Sequence, residues 1–487
     1  MSGVYKKRLS VCGLFNRARV LWLNMNEQIL TEPYTSGILS RLKQDGESFR
    51  KLLILALPIA AQTLIQTLLN LVDTLMIGQL GETSIAAVAL CNQIFFLLLL
   101  FLFGVSSGSS VFTAQFWGKK DLPGIHRSLG MALVLGLSGA AIFTLAAQIF
   151  PAQILRIYTK DQRVIEAGIP YLRIASASYL FTAGTIIFQG VLRSTGVVKL
   201  PLFLSVTALS LNAFFNYALI FGRFGLPRLG IAGAAMATSG ARILEVISLL
   251  LIIYIQKYPI AGSIRQLACQ NRLFFKRFIH RVSPVILNEV GWSFGMTMFT
   301  LVYARMGTDV LAAYNIMDTF SRLTIVLFVG TGNATAIVLG NIIGEGREDE
   351  ARRSAKTILM VAPLLAAFVG IIIFVLAPFV PGFFNISPYV STLIVQMLRI
   401  FTVVIFVKVS NMHIIVGILR SGGDTHFCAA LELIPLWLVS IPLAAFAGLV
   451  LNLPPPLVYL LCLSEEVIKY MIGLYRVLSG KWVHDLT

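Results

Sequence analysis

Twelve apolar stretches, each long enough to cross a bilayer, follow one another along the chain and leave room for little else. In round numbers they run 52–79, 84–115, 128–150, 164–192, 200–221, 229–256, 282–304, 309–341, 355–380, 391–419, 427–450 and 456–478. A membrane-spanning helix takes about 20 mostly apolar residues. Inside the bilayer an open chain can satisfy its backbone only as a helix, so these stretches predict an all-α integral membrane protein. Composition agrees: 13% of residues are charged, against roughly a quarter in a soluble domain. A soluble globular fold is excluded.

The net charge of +17 comes from 39 basic and 22 acidic residues. In a soluble protein that excess would suggest nucleic acid; here it sorts by side. With the N-terminus placed in the cytoplasm, 27 basic residues fall on the inner side and six on the outer side. This is a strong positive-inside bias and predicts an even number of spans in the cytoplasmic membrane, with both termini cytoplasmic. The segment 1–50 reads as a basic cytoplasmic arm suited to acidic lipid headgroups. It does not read as a signal peptide, because Asn16, Arg17 and Arg19 interrupt its apolar part; Met25 is an alternative start. The remaining division is a six-helix lobe over 51–256, an inner loop over 257–281, and a second six-helix lobe over 282–487. Cys12, Cys91, Cys269, Cys428 and Cys462 are too scattered for a zinc or redox pair.

The lobes follow from an internal repeat. At an offset of 226 residues Pro58 matches Pro284, Gly81 matches Gly307, Ala86-Ala87 matches Ala312-Ala313, Gly118 matches Gly344, and Leu172-Arg173-Ile174 matches Leu398-Arg399-Ile400. One inserted residue then brings Gly190 through Gly196 onto Gly417 through Gly423. Six spans return the chain to its starting side, so the halves are parallel repeats about an axis along the membrane normal. Two such bundles facing a central cleft suit a transporter that works by alternating access.

Ionisable residues within spans are costly and mark function by default. Some can neutralise themselves on one helix face: Asp318 with Arg322, Glu465 or Glu466 with Lys469, and Arg242 with Glu245. Asp73 has no basic residue three or four positions away; its helical neighbours are Leu69, Asn70, Met76 and Ile77. Gln62, Gln66, Asn70 and Asp73 share one helix face and predict a stripe lining a polar cavity. The alternative is an aspartate that merely joins two helices through hydrogen bonds. In the fifth span Asn212 and Asn216 lie four apart at similar depth, so the three side chains could form one site. Charging a carboxylate in a low-dielectric pocket is expensive, so Asp73 could take up a proton. Alternatively, Asp73 with the amide oxygens of Asn212 and Asn216 could ligate sodium, a hard cation.

Several segments resemble one family. They are Leu57-Pro58 with Val72-Asp73-Thr74-Leu75-Met76-Ile77-Gly78 and Leu80-Gly81; Phe116-Trp117-Gly118-Lys119-Lys120-Asp121; Leu229 through Thr238; and Gly417 through Thr425. In order and in both halves they are similar to the multidrug and toxic compound extrusion (MATE) family of bacterial type. The resemblance covers nearly everything after residue 50. It implies a twelve-helix antiporter that expels organic compounds using a proton or sodium gradient, with Asp73 as the protonation or cation site. Asn212 matches an asparagine of many relatives, whereas Asn216 stands where they carry an aspartate, removing one negative charge. Thr238 is a weaker carry-over, and a packing threonine fits as well.

The second half carries different chemistry. Shifted by 226, Asp73 falls on Phe299. Glu289, with Trp292, Ser293 and Met296 on one face, presents an acid, an aromatic ring and a thioether, which would suit a lipophilic cation; some relatives carry a glutamate on this span. The bland reading is an interfacial acid hydrogen-bonded to Asn288. Asp318 joins Glu289, Trp292 and Met296 as a candidate for substrate binding. Lys408 and His413 lie in the tenth span, and Lys408 is the one unpaired basic residue read as a candidate for lining the cleft. The loops around Arg193 and Arg420 lack a Gly-Lys-Ser/Thr ending, so ATP is not expected. The expectation is a monomeric exporter of organic, cationic amphipathic small molecules with no cofactor beyond the coupling ion. A flippase for a lipid-linked sugar is the alternative, and a membrane-embedded enzyme the remote one.

Overall fold

A computed structural model describes residues 46–268, 271–384 and 386–487; most of the basic arm, with Cys12 and Met25, and Cys269 lie outside these. The described chain is helical throughout, with no strand. Among the described residues ten helices are long and apolar enough to span a bilayer, from Gly46–Gly78 to Thr425–Val450. The predicted fourth span is a helix pair, Gln162–Ser176 and Tyr179–Ser194, bent by 46° at the break. The predicted twelfth is likewise two helices, Pro455–Cys462 and Ser464–Leu478. It falls short on apolarity because it carries Glu465, Glu466 and Lys469, and all three are buried within the protein instead of facing lipid.

Local sequence explains the punctuation. Gly81 and Gly307, equivalent in the repeat, sit at φ 96° and 134° at the N-caps of the second and eighth spans. A side chain disfavours that backbone region, so both turns need glycine. The tenth span, Pro388–Met412, continues through a π-helical turn at His413–Leu419, and the eleventh contains two more, at Leu436–Ser440 and Phe446–Val450. Pro435 and Pro442 each remove a backbone donor beside the first of these.

Packing divides the molecule by depth. Near the face that carries the Lys- and Arg-rich loops, apolar clusters are shared by both lobes. One joins Leu52, Leu55 and Ile59 to Ile337, Ile418 and Trp482; another joins Phe112 and Phe116 to Phe278 and Val282. Toward the opposite face each lobe keeps its own core: Ile77, Val88, Leu155 and Ile220 in the first, and Phe299, Tyr303, Met317 and Leu398 in the second. Glycines close the shared end. A Cβ on Gly118 would run into the carbonyl oxygen of Asn341, and one on its repeat mate Gly344 into that of Gln115. Small residues at such crossings let helix backbones meet, which is the main source of helix association in lipid. The lobes are therefore joined at the basic end and have separate cores at the other.

The segment after the last helix belongs to this seam. Trp482 is fully buried, and His484 donates its backbone N–H to Gly422 O at 3.0 Å. Gln115, on the second span, donates to Ser421 O (2.9 Å) and His484 O (3.1 Å) and accepts from Leu486 N (2.8 Å). One glutamine of the first lobe thus holds both the second lobe and its C-terminal segment.

Candidate functional site

The helical spacing that placed Asp73 and the two asparagines at similar depth is matched by their geometry. Asp73 Oδ1 accepts from Asn216 Nδ2 at 2.7 Å. With the Asn212 amide turned so that both ends are satisfied, its nitrogen donates to Asp73 Oδ2 at 2.9 Å, and its oxygen accepts from Thr238 Oγ1 at 3.2 Å and Thr238 N at 3.1 Å. Both carboxylate oxygens are thus held by amide N–H groups, one reason a charged carboxylate tolerates this depth. Asn216 Oδ1 is buried and has no partner. Asp73 forms no ion pair among the described residues.

These residues line a cavity of about 480 Å³ inside the first lobe, walled by its first, second, fourth, fifth and sixth spans. Asn70, Phe95, Phe96, Tyr171 and Tyr179 contribute, and so do Arg242 and Glu245. The chemistry is mixed: aromatic faces, one carboxylate held by amides, and an ion pair. The counter-charge that Asp73 lacks within a turn of its own helix is present across the cavity, on Arg242 of the sixth span.

The predicted polar stripe divides. Asn70 and Asp73 line the cavity, whereas Gln66 does not. Gln62 is buried and turns to another cluster, donating to Gln189 Oε1 (3.1 Å) and Ser205 Oγ (2.8 Å).

That second cluster centres on a residue the sequence reading discounted. Glu245 pairs with Arg242 at 2.9 Å as expected, but it also accepts from Ser205 Oγ at 2.7 Å and Gln189 Nε2 at 3.1 Å. Its side chain is 1% exposed. From Glu245 a chain of hydrogen bonds passes through Ser205, Gln189 and Gln62 to Arg193, whose Nη1 lies 3.4 Å from Gln62 Oε1. A polar run at every fourth residue signals one helix face; only Ser205 and Gln189 opposite Glu245 reveal the hub, and their positions are not readable from spacing.

In the second lobe the expected substrate face is not assembled. Glu289 pairs with Arg420 at 2.7 Å, and Arg420 also donates to Ser107 Oγ of the first lobe at 3.2 Å. Asn288 donates to Glu432 at 3.0 Å and not to Glu289. Trp292 and Met296 pack against the apolar core of their lobe. Asp318 is satisfied on its own helix by Arg322 at 2.6 Å. Lys408, read as a base without a partner, lies 3.9 Å from Glu466, which also accepts from Asn411 at 2.8 Å. Lys469 reaches Glu465 at 3.3 Å and Glu432 at 3.9 Å. The Lys469–Glu465 pair is the expected i,i+4 contact, whereas Lys408–Glu466 and Lys469–Glu432 join different helices, beyond the reach of that rule. His413 is buried and bonds to Val409 O at 2.8 Å on its own helix.

Comparison with known proteins supplies the family. The MatE family profile matches residues 58–218 and again 284–446, starting at Pro58 and Pro284, the two prolines that define the repeat. A probable multidrug resistance protein NorM of Rhizobium meliloti is 32% identical over 347 residues, covering 68% of this chain and 70% of its own. The uncharacterized transporter YisQ of Bacillus subtilis is 23% identical, covering 91% of this chain and 97% of its own. Among solved structures, a MATE protein in complex with MaL6 superposes with a TM-score of 0.81 at 20% identity, covering 89% of this chain and 97% of that one. A multidrug resistance MATE family transporter in an outward-facing conformation gives 0.78 at 20% identity, over 88% and 96%. A profile matched in both halves, on a duplicated helical scaffold built around a polar cavity, places this chain in the MatE family of multi-pass membrane transporters.

Proposed function

We propose that the protein exports small organic molecules, cationic amphipathic ones above all, in exchange for a proton or a sodium ion. The observation that carries this reading is Asp73, a carboxylate outside any ion pair among the described residues, held by two amides in an aromatic-walled cavity. In the ion-free state Asn212 and Asn216 satisfy it. A proton removes the charge those amides hold. A sodium ion would instead require the amides to turn, and Asn216 Oδ1, unpartnered as it stands, is an oxygen suited to such a cation. An organic cation in the same cavity would draw on the same carboxylate, with Tyr171, Tyr179, Phe95 and Phe96 offering ring faces. Ion and substrate then compete for one charge, which is the requirement for exchange.

The basic face is assigned to the cytoplasm by its Lys and Arg content. With the lobes joined at that face, the described geometry corresponds to the outward-open arrangement, from which substrate leaves and the ion enters. An ion moves the balance between outward-open and inward-open arrangements only through its different affinity for the two. The test is export of a labelled organic cation from vesicles under imposed proton and sodium gradients in turn. Asp73→Asn is expected to insert normally and to lose gradient-driven export; full export by that variant would sink the assignment.

A further inference from the structure

A second, smaller cavity lies between the lobes at the basic end. It measures about 50 Å³, several times the roughly 10–15 Å³ that one water requires. It lies on the repeat axis, because its lining comes in equivalent pairs: Ser107 with Asn333 and Ser110 with Ala336 at the 226 offset, and Arg193 with Arg420 after the one-residue insertion. Two arginines therefore converge from corresponding loops of the two halves.

The charge balance is uneven. Among the described residues no aspartate or glutamate lines the cavity. Arg420 is 2% exposed and has Glu289 behind it, so that pair is neutral. Arg193 is half-buried, and among the described residues its only hydrogen-bond partner is the neutral Gln62, at 3.4 Å. The site therefore carries one uncompensated positive charge. Holding a partly buried guanidinium without a counter-charge is unfavourable. Donors are also in surplus. Arg420 Nε is buried without a partner. Ser107 accepts from Arg420, and its own hydroxyl proton has no acceptor among the described residues.

We propose that this cavity binds a small monovalent anion, a halide such as chloride, between Arg193 and Arg420. One negative charge would balance Arg193, and Arg420 Nε, the Ser107 hydroxyl and Asn333 provide donors around it. The volume admits a halide with its last waters and excludes a drug-sized anion. Because half of the lining belongs to each lobe, the site is whole only while the lobes meet at the basic end. The anion therefore binds one arrangement of the transporter and stabilises it by mass action. It acts as an ionic latch on the outward-open state, distinct from the coupling ion at Asp73.

The experiment uses the full-length protein in lipid nanodiscs, without substrate, so its result does not depend on the export reading. Distances between spin labels on the outer ends of the two lobes are recorded in chloride and in gluconate. Crystals of the outward-open state grown in bromide are examined for anomalous scattering. The expected results are a bromide peak between Arg193 and Arg420 and a fall in the outward-open share in gluconate. The equilibrium should shift about tenfold when the comparison is with chloride at about ten times its Kd. Arg193→Gln should abolish the chloride dependence and Arg193→Lys should keep it. Water alone in the cavity, or identical distance distributions of the wild-type protein in chloride and gluconate, overturns the proposal even if neither variant folds.

Discussion

Two carboxylates in the first lobe show what a side chain's spacing reveals and what it hides. Asp73 was legible because no base lies three or four positions from it along its helix and depth places Asn212 and Asn216 opposite it. Glu245 was not, because an arginine three residues away gave it a sufficient local explanation. In the folded chain Arg242 takes one oxygen of Glu245, and the other collects Ser205 and Gln189. Glu245→Ala would leave Arg242 and several buried donors unsatisfied. Breaking a buried pair in this way costs about 3–5 kcal/mol. The purified variant is expected to melt at a markedly lower temperature in detergent, while Asp318→Ala, whose pair is partly exposed, should change the melting point little. Equal melting temperatures for the two would show that the hub contributes nothing.

Helices were the easier scale. All twelve apolar stretches correspond to helical segments, because length and hydropathy are what the bilayer demands. The breaks were not legible. The bend between Ser176 and Tyr179 has no glycine or proline at it, and the split at Leu463 precedes two glutamates that read as a local ion pair. The close approach of Gly118 and Gly344 across the lobes has a testable consequence. Gly344→Leu would push its new Cβ against the Gln115 carbonyl, and overpacking of this kind costs about 1–3 kcal/mol. The second and eighth spans should part at the basic end. A cysteine placed at Ser107 is then expected to react faster with a membrane-impermeant thiol reagent supplied from the cytoplasmic side. An unchanged labelling rate would mean that the glycine contact does not hold the seam.

At the scale of the molecule, the repeat announced two parallel bundles, but duplication is silent on which end of the cleft is closed. That became visible only in how the apolar clusters are shared, and in Gln115 holding Ser421, His484 and Leu486 at once. Gln115→Ala removes all three bonds. It is expected to lower the outward-open share without altering ion binding at Asp73, as read by the same lobe-to-lobe distances; an unchanged distribution would relegate the segment to packing. Duplication also left the halves unequal. Where the first lobe has Asp73 beside a cavity, the second has Phe299, 4% exposed within an apolar core. If export runs on a proton at Asp73 alone, each cycle trades one proton for one singly charged molecule and moves no net charge. Such an exchange is indifferent to membrane voltage. Each pH unit then supplies about 1.4 kcal/mol per cycle, which can sustain at most about a tenfold concentration ratio of substrate. The filled half of the duplicated scaffold thus puts a ceiling on how far the cell can be cleared.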